Sequence, residues 1–408
     1  MTKKTLKDIS CSFCGKDAKH VDTLIEGNNA YICADCIELS LEIVHEKKQE
    51  KLLFDNTELR FPTEINEYLN EYVIGQPDAK KVVSVAIFNH YQRLLYNKTH
   101  DDKIEKSNLL FIGPSGSGKT YIAKIVAKFL GLPFAIVDAT SLTESGYVGD
   151  DVESILGRLL WAADDDINKA EQGIIYIDEL DKKSKRGESV SISRDVSGEG
   201  VQQALLKLIE GTVADINPSG GRKHPDASKV RMRTDDILFI CAGAFQGLDA
   251  IIKQRLGKGK VGFGAKQFDE RQEKGNVTTK DLIKYGIIPE LLGRLPITVE
   301  FDQLTEGDLV DIMLKPKNSI VKQYKNLLSQ QKINLDVDLD ACKHIANKSF
   351  NTDLGARALR TVIDGLLTDV FFEIKDIIDK GYNQINVTTL DDEIEITKEK
   401  NTNEKTED

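Results

Sequence analysis

The sequence predicts an α/β fold: a parallel sheet with helices on both faces, a small cysteine-bound unit before it and a smaller, mainly helical α/β domain after it. Three observations carry this. Apolar runs suited to buried parallel strands recur in LLFI at 109–112, AIVDA at 135–139, GIIYIDE at 173–179 and ILFICAGA at 237–244, with helical patterns between them. The first run leads straight into GPSGSGKT, and four of the six cysteines stand within the first 36 residues.

Bulk properties bound the rest. A chain of 408 residues exceeds one ordinary core, so two to three domains are expected. With 40% apolar and 30% charged residues the composition is globular. No run of 18 apolar residues exists, so no membrane-spanning helix is expected. The start MTKKTLKDIS has no apolar core behind its lysines, which argues against a secretory signal and for a cytoplasmic protein. A formal net charge of -11 disfavours a general grip on nucleic acid, because that grip rests on Lys and Arg. Basic stretches at 181–186 and 222–233 are local exceptions that charge alone reads as solvated loops.

In chain order, Cys11-x2-Cys14, eighteen residues and Cys33-x2-Cys36 fall in the spacing range of a zinc site. Each pair aims two thiolates at one centre, and four complete the tetrahedron without an open position, so the role is structural. Redox dithiols are the alternative. The unit covers 1–45, with Ile37, Leu41 and Val44 on one helical face, and 46–62 reads as a linker. Cys241 and Cys342 lie far off and are expected in cores.

In GPSGSGKT, the residues Gly113, Pro114, Ser115, Gly116, Ser117 and Gly118 form a loop whose backbone N–H groups can approach phosphates. Lys119 reaches the terminal phosphates, the Thr120 hydroxyl can hold Mg2+, and the helix after them faces the anion with its N-terminus. GIIYIDE places Asp178 as a magnesium ligand and Glu179 as the base orienting the attacking water, the alternative being two solvated acids at a strand end. Both motifs in this order point to ATP hydrolysis. ESGYVGDD at 144–151 reads by itself as a turn with an incidental tyrosine, and Arg294 and Arg357 as surface ion pairs. Trp161, near Leu156 and Leu160 on a helical pattern, is expected in the core.

The four-cysteine unit joined to GPSGSGKT, GYVGDD, IIYIDELDK, RDVSGEGVQQALLKLIEG, RKHP, VGFG, ELLGRLP and GARALR resembles the ClpX family of AAA+ unfoldases from about residue 8 to residue 390. The resemblance implies a large AAA+ domain over 63–302 and a small one over 303–391, and the polar, charged composition of 392–408 reads as a disordered tail. It places Val73 and Ile74 at the adenine, Arg294 as an arginine finger reaching the neighbouring subunit's ATP, and Arg357 as a sensor of nucleotide state. A finger in trans implies an oligomer, in this family a homohexamer. Tyr147 and Val148 would lie on a channel loop gripping substrate, SISRDVSGEG at 191–200 on a second channel loop, and Arg222, Lys223 and His224 at the channel entrance, where they favour a free C-terminal carboxylate. Val261, Gly262 and Phe263, in an insertion at 257–276, would dock on the partner peptidase, with Val where Ile or Leu is usual. Where the wider superfamily often has a polar sensor residue, this chain has Cys241, Ala242 and Gly243.

The implied function is ATP-driven unfolding and translocation of tagged proteins into the Clp peptidase. Adaptors would bind the zinc unit, and neither nucleic acid nor membrane would be a partner. A peptidase-independent remodeller of complexes is the alternative. The implied cofactors are ATP, Mg2+ and Zn2+.

Overall fold

The computed structural model describes residues 10–28, 30–40, 60–143, 150–152, 154–184, 198–216, 230–257, 276–352, 355–390 and 393–400. It divides into two compact units, one through residue 58 and one from residue 59 onward.

In the first unit, β1 (Leu24–Gly27) and β2 (Ala30–Cys33) form an antiparallel hairpin with Ile25 opposite Ile32, and helix α1 runs over residues 34–40. The first cysteine pair sits on a turn closed by the Gly15 N–H donating to the Cys11 carbonyl. Gly15 has φ +74, a left-handed conformation that a side chain disfavours.

The second unit opens with α2 (Pro62–Tyr72) and α3 (Pro77–Thr99), each with proline in its first turn, where the missing N–H costs nothing. Then follow β3 (Leu109–Ile112), α4 (Lys119–Leu130), β4 (Phe134–Asp138), a parallel pair of two-residue strands β5 (Leu142–Thr143) and β6 (Asp150–Asp151), α5 (Ser154–Ala162), α6 (Ile167–Ala170) and β7 (Ile174–Asp178). Next come α7 (Glu199–Glu210), the antiparallel pair β8 (Val213–Ile216) and β9 (Val230–Arg233), then β10 (Leu238–Gly243), α8 (Leu248–Gly257), α9 (Thr279–Tyr285), α10 (Pro289–Arg294) and β11 (Ile297–Glu300). The central sheet has the order β11-β3-β10-β7-β4 with every pair parallel. β3 and β10 are buried along their whole length, which is why they read as unbroken apolar runs. The order inserts β10 between β3 and β7, so the ends of these three strands share one rim, the place where such sheets bind ligands.

The C-terminal part has its own core, built on Leu309, Met313, Leu328, Ile345, Leu359 and Ile385. It comprises α11 (Glu306–Leu314), α12 (Ile320–Ser329), β12 (Asn334–Val337), α13 (Leu339–Phe350), α14 (Ala356–Phe372), α15 (Ile374–Asp379), β13 (Gln384–Leu390) and β14 (Glu393–Glu399).

Two expectations are corrected. The disordered tail from 392 is contradicted by β14, which pairs antiparallel with β13 and lays Ile394 and Ile396 against the small core. Trp161 is 79% exposed rather than in the core: Ile155, Leu156, Leu159 and Leu160 hold the inner face of α5, and position 161 falls on its outer side. Cys241 and Cys342 are buried as expected. Among the described residues no helix is long and apolar enough to cross a membrane.

Candidate nucleotide and zinc sites

At the rim, β3 ends in a loop that only glycine can make. A Cβ on Gly113 would stand 2.6 Å from both the Cβ and the carbonyl oxygen of Phe301, and Gly118 turns into α4 at φ +96. The helix thus opens toward the pocket with first-turn N–H groups that have no helical acceptor, a ready anion site. Lys119, 8% exposed, donates to the carbonyls of Gly113 at 2.6 Å and Pro114 at 2.8 Å. Burial pushes its ammonium below the ordinary lysine range, an effect that Asp178 opposes.

Asp178 ends β7, and its Oδ2 accepts from the Thr120 hydroxyl at 3.1 Å. Two hard oxygen donors so close fit a magnesium ion carried with the nucleotide phosphates. Glu179 leaves the strand at φ +56, uncommon for a residue with a side chain, with its N–H on Asp178 Oδ1 at 3.0 Å. Glu179 lines the same pocket.

The pocket, about 480 Å³, closes between the large and small cores. Val73 and Ile74 line it with Tyr72, Ile312 and Ile320, an apolar end of the kind that takes a base. Ser115, Gly116, Ser117, Gly118, Lys119 and Thr120 line the anionic end. Arg357 enters from the start of α14, where a Cβ on Gly355 would stand 3.3 Å from the Ser115 carbonyl. The small core therefore reaches the phosphate loop itself. Arg294 is not in this pocket: its Nε lies 3.1 Å from Glu210 Oε1, and its backbone carbonyl accepts from Asn108.

Sequence reasoning missed several residues that the fold brings here. Gln76 donates to the carbonyls of Ser117 and Asp302 and accepts from the Asp302 N–H, tying α3 to the phosphate loop. The Tyr176 hydroxyl, two residues before Asp178 and on the same strand face, accepts from Thr120 at 3.2 Å. Tyr121 and Asn318 bond across the pocket mouth, hydroxyl to side-chain amide. Only the period-2 register of β7 could have signalled one of these, Tyr176. Tyr147, Val148, Arg222, Lys223, His224, Val261, Gly262 and Phe263 lie outside the described residues, as does 191–197.

In the first unit the four cysteines come together, with all ligand atoms within 4.8 Å of one another and Cys14 and Cys33 sulfurs 3.7 Å apart. Sulfurs at about 2.3 Å around one tetrahedral ion would be about 3.8 Å apart, so the set fits zinc. Burial raises the Cys11 thiol, but backbone N–H groups of Cys14, Cys33 and Phe13 outweigh it and bring it down to about 6. Cys36 is pushed up to about 12 by burial and by its sulfur neighbours. Thiols that cannot all ionise together are what a dication holds in place.

A phosphate loop, a strand-end acid pair and an arginine from a second core define an AAA-class ATPase that uses ATP and Mg2+, with a zinc-bound N-terminal unit. Residues 104–298 match the AAA domain (Cdc48 subfamily), 9–46 the ClpX C4-type zinc finger, and 304–375 the C-terminal D2-small domain of ClpB protein. The ATP-dependent Clp protease ATP-binding subunit ClpX of Bacteroides thetaiotaomicron is 46% identical over 383 residues, 91% of this chain and 92% of that protein. The chain belongs to the ClpX family.

Proposed function

We propose that the protein is an ATP-driven unfoldase and translocase that works as a homohexamer and delivers tagged proteins to a Clp peptidase. The observation that carries this is the placement of the nucleotide pocket between two cores: Asp178 and Glu179 come from one and Arg357 from the other. Binding and hydrolysis then change the contacts between two packed bodies, which is how phosphate chemistry becomes movement.

In this reading Glu179 orients the attacking water, Lys119 and the loop N–H groups neutralise phosphate charge, and Thr120 and Asp178 hold the metal. Arg294, outside its own chain's pocket and half-exposed, serves a neighbour's nucleotide, a contribution worth on the order of 10^3 to 10^5 in rate in related phosphoryl transfer. Tyr147 and Val148 grip the substrate, Arg222, Lys223 and His224 attract the tag carboxylate, and Val261, Gly262 and Phe263 dock the peptidase. The relative's printed name, subunit of an ATP-dependent Clp protease, supports the last assignment. We place the protein in the cytoplasm, with adaptors on the zinc unit.

The test is ATP-dependent loss of fluorescence from a folded, C-terminally tagged fluorescent protein, with and without the peptidase. Loss that persists with peptidase present supports coupled unfolding. ATP hydrolysis without loss in either case would overturn the reading for that tag and favour a remodeller.

A further inference from the structure

A nucleotide is base, sugar and phosphates in that order, and the two ends of the pocket account for the first and the last. The apolar end lined by Tyr72, Val73, Ile74, Ile312 and Ile320 suits the base, and the loop running into Thr120 suits the phosphates. The sugar has to lie between them, where its two hydroxyls call for hydrogen-bonding partners. Two lining residues join the ends. Tyr121 follows Thr120 on α4, and Asn318 stands two residues before Ile320 in the connection from α11 to α12.

The small core supplies four polar side chains to the pocket lining: Asn318, Ser319, Gln323 and Arg357. Three of them are committed elsewhere. Arg357 enters beside the phosphate loop, the Ser319 hydroxyl caps α12 by accepting the Lys322 N–H at 3.4 Å, and Gln323 donates to the Asn318 carbonyl at 2.7 Å and accepts from Arg360 at 3.3 Å. That leaves the Asn318 amide. Its one partner among the described residues is the Tyr121 hydroxyl, 2.9 Å from Nδ2 and 3.1 Å from Oδ1. A primary amide has two N–H groups and two oxygen lone pairs, so one of each remains for a ligand. Both side chains are exposed, Tyr121 by 36%, so a ligand in the pocket can reach them. The segment is also held: the Lys317 N–H donates to the Glu71 carbonyl at 3.0 Å, and Lys317 Nζ lies 2.7 Å from the Glu71 carboxylate, one residue before Tyr72. The amide is therefore set in place before anything binds.

We propose that Asn318 and Tyr121 form a ribose subsite and make the pocket prefer ribonucleotides to deoxyribonucleotides. The free N–H and lone pair of the Asn318 amide bond the ribose hydroxyls. The Tyr121 hydroxyl, bonded to both atoms of the amide, fixes its orientation. The subsite draws one member from each core, so the sugar is read only where the two cores meet. The inference rests on the nucleotide reading of the pocket and is independent of what hydrolysis drives.

Titration calorimetry of the full-length, zinc-loaded protein with ADP, 2′-deoxy-ADP and 3′-deoxy-ADP measures the preference without turnover and without a label on the sugar. ADP should bind about tenfold tighter than at least one of the deoxy analogues, the scale of one hydrogen bond at an exposed site. Asn318→Ala should weaken ADP about tenfold and shift that analogue by less than about twofold, so the preference disappears. Tyr121→Phe keeps the ring but lets the amide turn, and should cut the preference to about threefold. The ratio of ADP to deoxy-ADP is the deciding quantity, because a bond that merely holds the two cores together would affect all three nucleotides alike. Equal binding of all three by the wild-type protein, a uniform loss in Asn318→Ala, or a full preference retained in Tyr121→Phe would each overturn the proposal. Binding of none of the three would overturn the nucleotide reading of the pocket with it.

Discussion

The zinc unit and the ATPase unit meet the same need, enough free energy to order a chain, by opposite means. Among the described residues from 10 to 40 the only buried apolar side chains are Cys11 and Cys33, while Phe13, Ile25 and Leu39 are more than half exposed. The second unit buries whole strands, with Leu109, Leu110, Phe111, Phe239 and Ile240 fully inaccessible. Burial worth about 25 cal/mol per Å² supplies a large sheet but not a unit that ends by residue 58, where coordination must do it. One unit should depend on a metal and the other on its core.

The largest effect should come from chelation. Stripping zinc removes about 10 to 16 kcal/mol of coordination and should unfold residues 10–40. Hydrogen exchange on the full chain should then lose protection in β1 and β2 while β3 and β10 keep theirs. Loss in both units would break the comparison. Phe239→Ala reverses the experiment: about 3 to 5 kcal/mol should be lost from the ATPase unit in denaturant titrations, with zinc content unchanged. Glu179→Gln should separate stability from chemistry, lowering ATP hydrolysis on the order of 10^2 to 10^4 while protection in both units and ATP binding hold.

A smaller effect concerns pH. Lys106 donates to the Thr234 carbonyl and stands 5.0 Å above the Phe239 ring. Burial, reinforced by Arg93, pushes its ammonium down to about 7, against the pull of Asp235 and Asp236. A lysine depressed on folding costs stability in full below its folded pKa. The cost is relieved as pH rises from about 7 toward the ordinary value of 10.5, because there only the unfolded chain holds the proton. Lys106→Met should raise stability at pH 7 and flatten that rise. The zinc unit should respond in the same direction but in the acid range, losing metal as acid protonates its thiolates. Smallest of all, Trp161→Gln should change stability by less than about 0.5 kcal/mol despite removing the only tryptophan, since that ring is on the surface.

Legibility in the sequence followed the physics of each element. Strands buried on both faces announce themselves as apolar runs, and LLFI, GIIYIDE and ILFICAGA coincide with the inner strands β3, β7 and β10, whereas AIVDA is a strand but the edge one, β4, exposed at alternate positions. β14 was missed because Glu393 to Glu399 alternates charged with apolar residues in a tail that composition reads as solvated, although Ile394 and Ile396 carry the period of a half-buried strand. α3 gave no clean stripe, burying Lys80, His90 and Arg93 together with its apolar residues. Trp161 was misplaced because nearness to leucines in the chain is not nearness on a helix.

The candidate residues for phosphate, metal and zinc were legible in the sequence alone, because their chemistry needs particular side chains at fixed local spacing: Cys-x2-Cys turns, a glycine loop ending in Lys119 and Thr120, and acids at a strand end. What only the tertiary structure decided are the contacts between segments far apart in the chain. Gln76 meets Asp302, Tyr121 meets Asn318, Gly355 meets Ser115, and Asp181 meets Gly243. No local pattern encodes these pairs. They exist because the sheet order brings β10 between β3 and β7 and because the small core folds back over the phosphate loop, and both depend on how the whole chain buries its apolar surface.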